Sequence, residues 1–226
     1  MIPLYDENPT RTFPIVTVLL IVVNVVVFFY ELILPSPEAL EGFVGMAAVV
    51  PYDVTHNLNL PVALTLLTSL FLHGGWFHLL GNMLYLWIFG NNVEDAMGHL
   101  GFTIFYLLCG LGASGAQIAV NIISRVPNIG ASGAIAGILG AYLILYPHAR
   151  VVTLVTLGYF VRLVRVPAII VLGLWIVVQF LSGVASLGMP EVGGVAWFAH
   201  LGGFLTGLLL VRLFARRREW YKRGIF

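Results

Sequence analysis

The sequence predicts an all-α polytopic membrane protein, a bundle of six spans whose fourth helix is short and partly submerged. Three observations carry that expectation. Hydrophobic residues make up 60% of the chain and charged residues 9%, whereas about a quarter of the residues in a soluble domain are charged. Apolar runs of spanning length recur along the chain, and the mean hydropathy is +0.99. Arginine and lysine also collect on alternate connections, as expected where positive charge stays on the cytoplasmic side. A net charge of +1 argues against nucleic acid as a partner. The lone Cys109 sits in an apolar run and forms no intrachain disulfide.

Taken in order, residues 1–12 are a short polar tail. Residues 13–34 form the first span, which is longer than a signal-peptide core, lacks a small-residue cleavage site and ends at Pro35-Ser36-Pro37. A long connection over 35–77 holds a semi-apolar piece, 61–72, whose dozen residues suit a half-embedded or re-entrant segment. Residues 76–93 and 100–123 make the second and third spans. The fourth, 132–146, has fifteen residues, and at ~1.5 Å each it covers only ~22 Å of a ~30 Å hydrocarbon core. The fifth and sixth spans are 167–187 and 197–214. Between the fourth and fifth, 151–161 is apolar but short and flanked by arginines, so it is expected to lie along the surface. Residues 13–214 are one domain, and 215–226 form a basic tail that anchors the topology and contacts anionic lipid.

Orientation follows from the basic residues. With the N-terminus in the cytoplasm, Arg11, Arg150, Arg162, Arg165, Arg212, Arg216, Arg217, Arg218, Lys222 and Arg223 are all cytoplasmic, leaving Arg125 outside. The acidic first loop, with Glu38, Glu41 and Asp53, faces outward. Six spans put both termini in the cytoplasm of a cell membrane.

The second, fourth and sixth spans then run from outside to inside, and their outer ends carry polar residues: His78 and Asn82, Ser132, and His200. Taking Trp197 as an interface anchor, His200 lies ~5 Å below the boundary and Ser132 ~8 Å below it, at ~1.5 Å per residue. Irregular backbone at that depth is tolerated only against protein or a water-filled cavity, so the loop before Ser132, with Pro127, sets the serine at the floor of a wet pocket. A lone serine among Gly133 and Gly137 is ordinary helix-packing material, and a lone intramembrane histidine is as readily structural as functional. At matching depth the two suggest a nucleophile and the base that activates it. Gly203 and Gly207 offer a second small-residue face that lets the helices approach. His78 and Asn82, four residues apart on one face, read either as packing hydrogen bonds or as donors to a developing oxyanion. The first turn of the fourth helix adds a free N–H and the positive dipole end. A zinc protease would carry HExxH, an aspartyl protease two buried aspartates, and a soluble nucleophile elbow GxSxG; none is present. No cofactor or metal is called for.

Three motifs, HGGWFHLLGN (73–82), GASGAIAG (130–137) and AHLGGFLTG (199–207), resemble those of the rhomboid intramembrane serine proteases, in the family's order and on the expected spans. The resemblance covers the chain from the first span to the sixth and suggests the minimal six-span prokaryotic form. It implies Ser132 as nucleophile, His200 as general base, and His78, Asn82 and the Ser132 N–H as oxyanion contacts. It also implies a half-submerged first loop, a lateral gate in the fifth span (Trp175, Gln179, Phe180) and a cap over 187–196 that includes Met189. Two positions depart from the family. Leu64 and Thr65 stand where many members have Trp-Arg, and Ala136 stands where some have a tyrosine that stacks on the histidine. Glu94, in GNNVEDAMG, resembles an acidic position at the inner end of the second span and reads as structural.

The function these readings imply is an intramembrane serine endopeptidase acting in regulated proteolysis. It would cut single- or multi-span membrane-protein substrates whose segments carry helix-weakening residues. The alternatives are an inactive rhomboid-like protein that binds membrane spans, and a small channel or transporter, against which no inverted repeat is evident.

Overall fold

The computed structural model describes residues 1–157, 160–187 and 194–216. Among the described residues, four helices are long and apolar enough to cross a membrane: α1 (Ile15–Ile33), α7 (His99–Val120), α9 (Ala168–Ser186) and α10 (Trp197–Phe214). A fifth crossing counts if Leu60–Phe71 and Trp76–Met97, bent 81° from one another, are taken as one. Trp76–Met97 comprises α5 (Trp76–Tyr85), a π turn (Leu86–Gly90) and α6 (Asn91–Met97). Helix α8 (Ser132–Leu145) has only 14 residues, or ~21 Å.

The polarity of α1 is inverted relative to a water-soluble helix. Its buried positions are Thr17, Asn24, Phe28 and Glu31, a single face at helical spacing, while Val22, Val26, Phe29 and Ile33 are exposed. Only a hydrocarbon surround makes that arrangement favourable. The polar face meets partners inside. Buried Glu94 accepts hydrogen bonds from the Val16 and Thr17 amides and the Thr17 hydroxyl at 2.7–2.9 Å, and from His99 Nδ1 at 2.6 Å. A carboxylate thereby caps the N–H groups that open α1, the structural role read from its position.

Helix α8 occupies the middle. Ten consecutive residues, Gly133 to Tyr142, are buried, the mark of a helix surrounded by protein. Glycine makes this possible on the α10 side. A Cβ at Gly203 would collide with the Gly133 carbonyl, one at Gly207 with the Gly137 carbonyl, and one at Gly140 with the Phe204 carbonyl. The two backbones are in contact.

The long first connection is mostly helical: α2 (Pro37–Ala47), α3 (Pro51–His56), α4 (Leu60–Thr68) and a 3₁₀ turn (Ser69–Phe71). Ser36 and Asn59 cap α2 and α4, each followed by proline in the first turn. Leu64 is half exposed and Thr65 donates to its own helix at Val62 O, 2.6 Å away. The connection folds over the α7–α8 loop through a bridge between Val49 and Asn128, and Arg125 lies 4.0 Å above the Tyr52 ring.

The all-α expectation requires a correction. The segment expected to lie along the surface as a short apolar run instead contributes two paired antiparallel strands, with 151–157 in β2 (Arg150–Leu157) and 160–161 in β3 (Phe160–Pro167). The expected polar tail supplies a third strand, β1 (Ile2–Asp6), which pairs with β2. Valine-rich, β-branched runs favour the pleated form, and here the strands satisfy each other's backbone. The sheet is tied to the helices through Asp6, whose carboxylate accepts from Tyr142 Oη at 2.5 Å and Asn92 Nδ2 at 2.9 Å.

Burial lifts the Asp6 carboxyl from its ordinary 3.8 to about 6, against the downward pull of the Tyr142 hydroxyl. A raised folded-state value means that the docked strand holds a proton the free strand releases. The stabilisation is complete below about 3.8 and is lost as pH rises through about 6. Amide hydrogen exchange of residues 2–6 should therefore quicken between pH 4 and pH 7, after correction for intrinsic exchange. In Asp6→Asn, which keeps an acceptor for Tyr142, protection should stay flat. A wild-type profile as flat as the variant's would remove Asp6 as the cause.

Candidate active site

Ser132 is the first residue of α8, and the backbone before it is held in place. Gly130 adopts φ +120°, a region that favours glycine, and its N–H donates to Ser69 O at 2.8 Å. His200 lies in the first turn of α10, whose start is fixed by the Ala199 amide donating to Gln117 Oε1 at 3.1 Å. The close approach of α8 to α10 at Gly133 and Gly203 brings the two side chains together. Ser132 Oγ lies 2.8 Å from His200 Nε2.

The other ring nitrogen is also engaged: His200 Nδ1 is 2.6 Å from Gln179 Oε1. A carboxamide oxygen only accepts, so Nδ1 carries the ring proton and Nε2 presents a lone pair to the serine hydroxyl. The imidazole is buried and sits between indoles, Trp175 at 5.7 Å and 39° and Trp197 at 6.2 Å and 89°. With Ala136 in place of a stacking tyrosine, α9 and the start of α10 supply the ring's neighbours.

His78 and Asn82 converge on the same spot from α5. A Cβ placed on Gly130 would stand 2.7 Å from His78 Nε2 and 3.7 Å from Asn82 Nδ2, so both groups face the backbone just ahead of Ser132. Sequence reasoning gave His73 no part here, yet it holds the Asn82 amide: His73 Nε2 lies 3.0 Å from Asn82 Nδ2. The His73 amide in turn approaches the Glu31 carboxylate at 3.3 and 3.4 Å. The available signal was the first histidine of HGGWFH, His73, five residues before His78. A cavity of about 30 Å³ borders Ser132, its mostly apolar walls interrupted by Ser69, Ser114, Gln117 and Asn128; that is room for a water molecule or a small side chain.

The expected gate residues divide. Trp175 and Gln179 touch His200, whereas Phe180 does not line the dyad. It is exposed and borders an apolar groove of about 560 Å³ together with Ile176, Val177, Phe198, Gly202 and Leu205. On a helix, position 180 lies about 100° around from 179, which turns it to the outer side. Met189 and most of the expected cap lie outside the described residues. Among the described residues, no group of three or more His, Cys, Asp or Glu is arranged to hold a metal ion.

Comparison with known proteins agrees with this architecture. A family model described as the Rhomboid domain matches residues 62–217. The chain is similar to RHOMBOID-like protein 4 of Arabidopsis thaliana, 34% identical over 152 residues, which covers 64% of this chain and 32% of that protein. It is similar to the mitochondrial Rhomboid protein 1 of Saccharomyces cerevisiae, 32% identical over 153 residues, covering 65% and 40%. Rhomboid protease GluP of Bacillus subtilis is 43% identical over 93 residues, covering 41% and 18%. The chain spans less than half the length of each of these three relatives. It belongs to the rhomboid family.

Proposed function

We propose that this rhomboid-family chain is an intramembrane serine endopeptidase that cuts membrane-protein substrates within or near a membrane span. The observation that carries the reading is the 2.8 Å contact of Ser132 Oγ with a His200 whose opposite nitrogen is already occupied at 2.6 Å. In this reading the chain crosses a cell membrane six times, with both termini cytoplasmic and Ser132 at the outward end of α8. The expected basic tail, residues 217–226 of which lie outside the described residues, is the cytoplasmic anchor.

As a substrate carbonyl approaches, the Ser132 hydroxyl proton passes to His200 Nε2 and Oγ bonds to the carbonyl carbon. The tetrahedral oxyanion rests on the Ser132 N–H, His78 and Asn82. On collapse the C–N bond breaks, and His200 gives its proton to the leaving amine. Water then enters with His200 again as base, and the acyl-enzyme releases a carboxylate and free Ser132. A substrate helix hides its carbonyls in i to i−4 bonds, so glycine, proline or other helix-weakening residues favour entry of an extended segment. The cavity beside Ser132 favours a small side chain next to the scissile bond.

The test is cleavage of a single-span reporter in liposomes, with products mapped by mass spectrometry, beside labelling by a fluorophosphonate probe. Cleavage within or beside the span, together with a single label on Ser132, supports the reading. Several inert reporters and no label would overturn it in favour of a rhomboid-like binding protein. Asn82→Ala gives a finer check. Loss of one oxyanion donor should lower kcat by about 10²–10³-fold while KM changes little. A kcat within threefold of wild type, in protein that remains folded, removes Asn82 from the oxyanion site.

A further inference from the structure

We propose that Gln179 is a positioning residue for the His200 base, so that the dyad is ready to react only while α9 is docked against α10. The inference rests on the protease reading and deepens it, since the two-residue dyad implied by the sequence left the orientation of the imidazole without a cause. The contact is specific. Gln179 is buried, and its Oε1 lies 2.6 Å from His200 Nδ1 across a separation of 21 residues in sequence. The Ser132 hydroxyl on Nε2 is compatible with either tautomer, as donor to one and acceptor from the other. Only an acceptor on Nδ1 selects the form with a bare Nε2, the form that removes a proton.

The position of Gln179 in the fold gives the contact its consequence. Helix α9 meets the bundle along a narrow stripe: Val171, Leu172, Gln179 and Gly183 are buried, while Leu174, Val177, Val178, Phe180 and Leu181 are exposed. Trp175, one turn before Gln179, packs on the same imidazole. Helix α9 therefore carries two of the groups that hold the base, Gln179 and Trp175, while Trp197 of α10 supplies a third. Lateral displacement of α9 removes the acceptor from Nδ1 and lets the ring turn or change tautomer.

The experiment compares wild type with Gln179→Met, which keeps the side chain's length but lacks the amide, and Gln179→Glu, which can only accept when ionised. Gln179→Met should lower kcat on the reporter about 10–100-fold with KM unchanged and slow fluorophosphonate labelling in parallel. Gln179→Glu should restore kcat at alkaline pH and move the acid limb of the kcat profile to higher pH, because a carboxylate favours the imidazolium over the neutral base. ¹⁵N NMR of histidine-labelled protein reads the tautomer without activity: wild type and Gln179→Glu should carry the His200 ring proton on Nδ1, and Gln179→Met should show a mixture. The proposal is overturned if Gln179→Met keeps wild-type kcat, labelling rate and tautomer while Ser132 remains essential, an outcome that leaves the protease reading intact. Should wild type cleave nothing and take no probe, the protease reading fails, and the ¹⁵N signals still decide whether Gln179 sets the ring.

Discussion

Ser132→Ala is expected to abolish reporter cleavage, with kcat falling about 10⁴-fold or more, and His200→Ala is expected to do nearly the same. The reason is mutual dependence. A serine hydroxyl without a base is a weak nucleophile, and an imidazole without the hydroxyl has nothing to activate. The double variant should therefore be no worse than either single one, which marks two groups acting as a unit rather than two independent contributions. Folding is the necessary control, because His200 is buried among Trp175, Trp197 and Gln179 and its removal leaves a void with an unpaired amide. Ser132→Ala removes one exchangeable contact at the end of a helix and should unfold as wild type does. Cleavage by folded Ser132→Ala at more than a hundredth of the wild-type rate would sink the assignment.

How much of this site was legible in the sequence depends on what kind of signal each residue leaves. Ser132, His200, His78 and Asn82 are polar residues in apolar runs, where each polar atom needs a reason, and a common depth argument brought them to one zone. The close packing of α8 against α10 was readable too, since glycines four apart at 133 and 137 and at 203 and 207 have few other uses in a span. The partner of His200 Nδ1 was not readable. Gln179 sits in a fifth span whose rotation about its axis depends on tertiary packing, and periodicity cannot distinguish Gln179 facing the histidine from Phe180 facing outward. His73 was missed for a related reason: its role is to hold Asn82, a contact made by the bend between α4 and α5 rather than by spacing.

The sheet was missed for a different reason. RVVTLVTL and FVRLVRVP are two β-branched runs separated by Gly158-Tyr159, a hairpin pattern. Read as one apolar stretch beside spans, it was judged by whether it is long enough to cross. In a chain this hydrophobic, the length criterion displaced the period-2 criterion. The N-terminal strand left even less trace, because IPLYD is five residues long and gains its structure only from pairing with β2.

The glycine contacts between α8 and α10 lead to the second large effect: Gly203→Ala and Gly207→Ala should each destabilise the bundle by about 3 kcal/mol, at the upper end of overpacking penalties. The added methyl at 203 meets the Gly133 carbonyl oxygen, and the one at 207 meets that of Gly137. A flexible side chain can swing away from a methyl, whereas a carbonyl inside a buried helix moves only with its helix. Separating α8 from α10 also carries Ser132 away from His200, and a misplacement of ~1 Å costs ~10²-fold in rate. Gly203→Ala, lying one turn from His200, should therefore lose activity even at temperatures where it stays folded, while Gly207→Ala, a further turn away, should lose stability more than rate. Gly173→Ala is the control, because nothing lies within 4 Å of a Cβ there and alanine's helix propensity should leave stability unchanged or raise it by up to ~1 kcal/mol. Unfolding measured in detergent for the three variants decides the matter. If Gly203→Ala and Gly207→Ala unfold with the wild type, the two backbones are not in contact, and the 2.8 Å dyad loses the packing that holds it together.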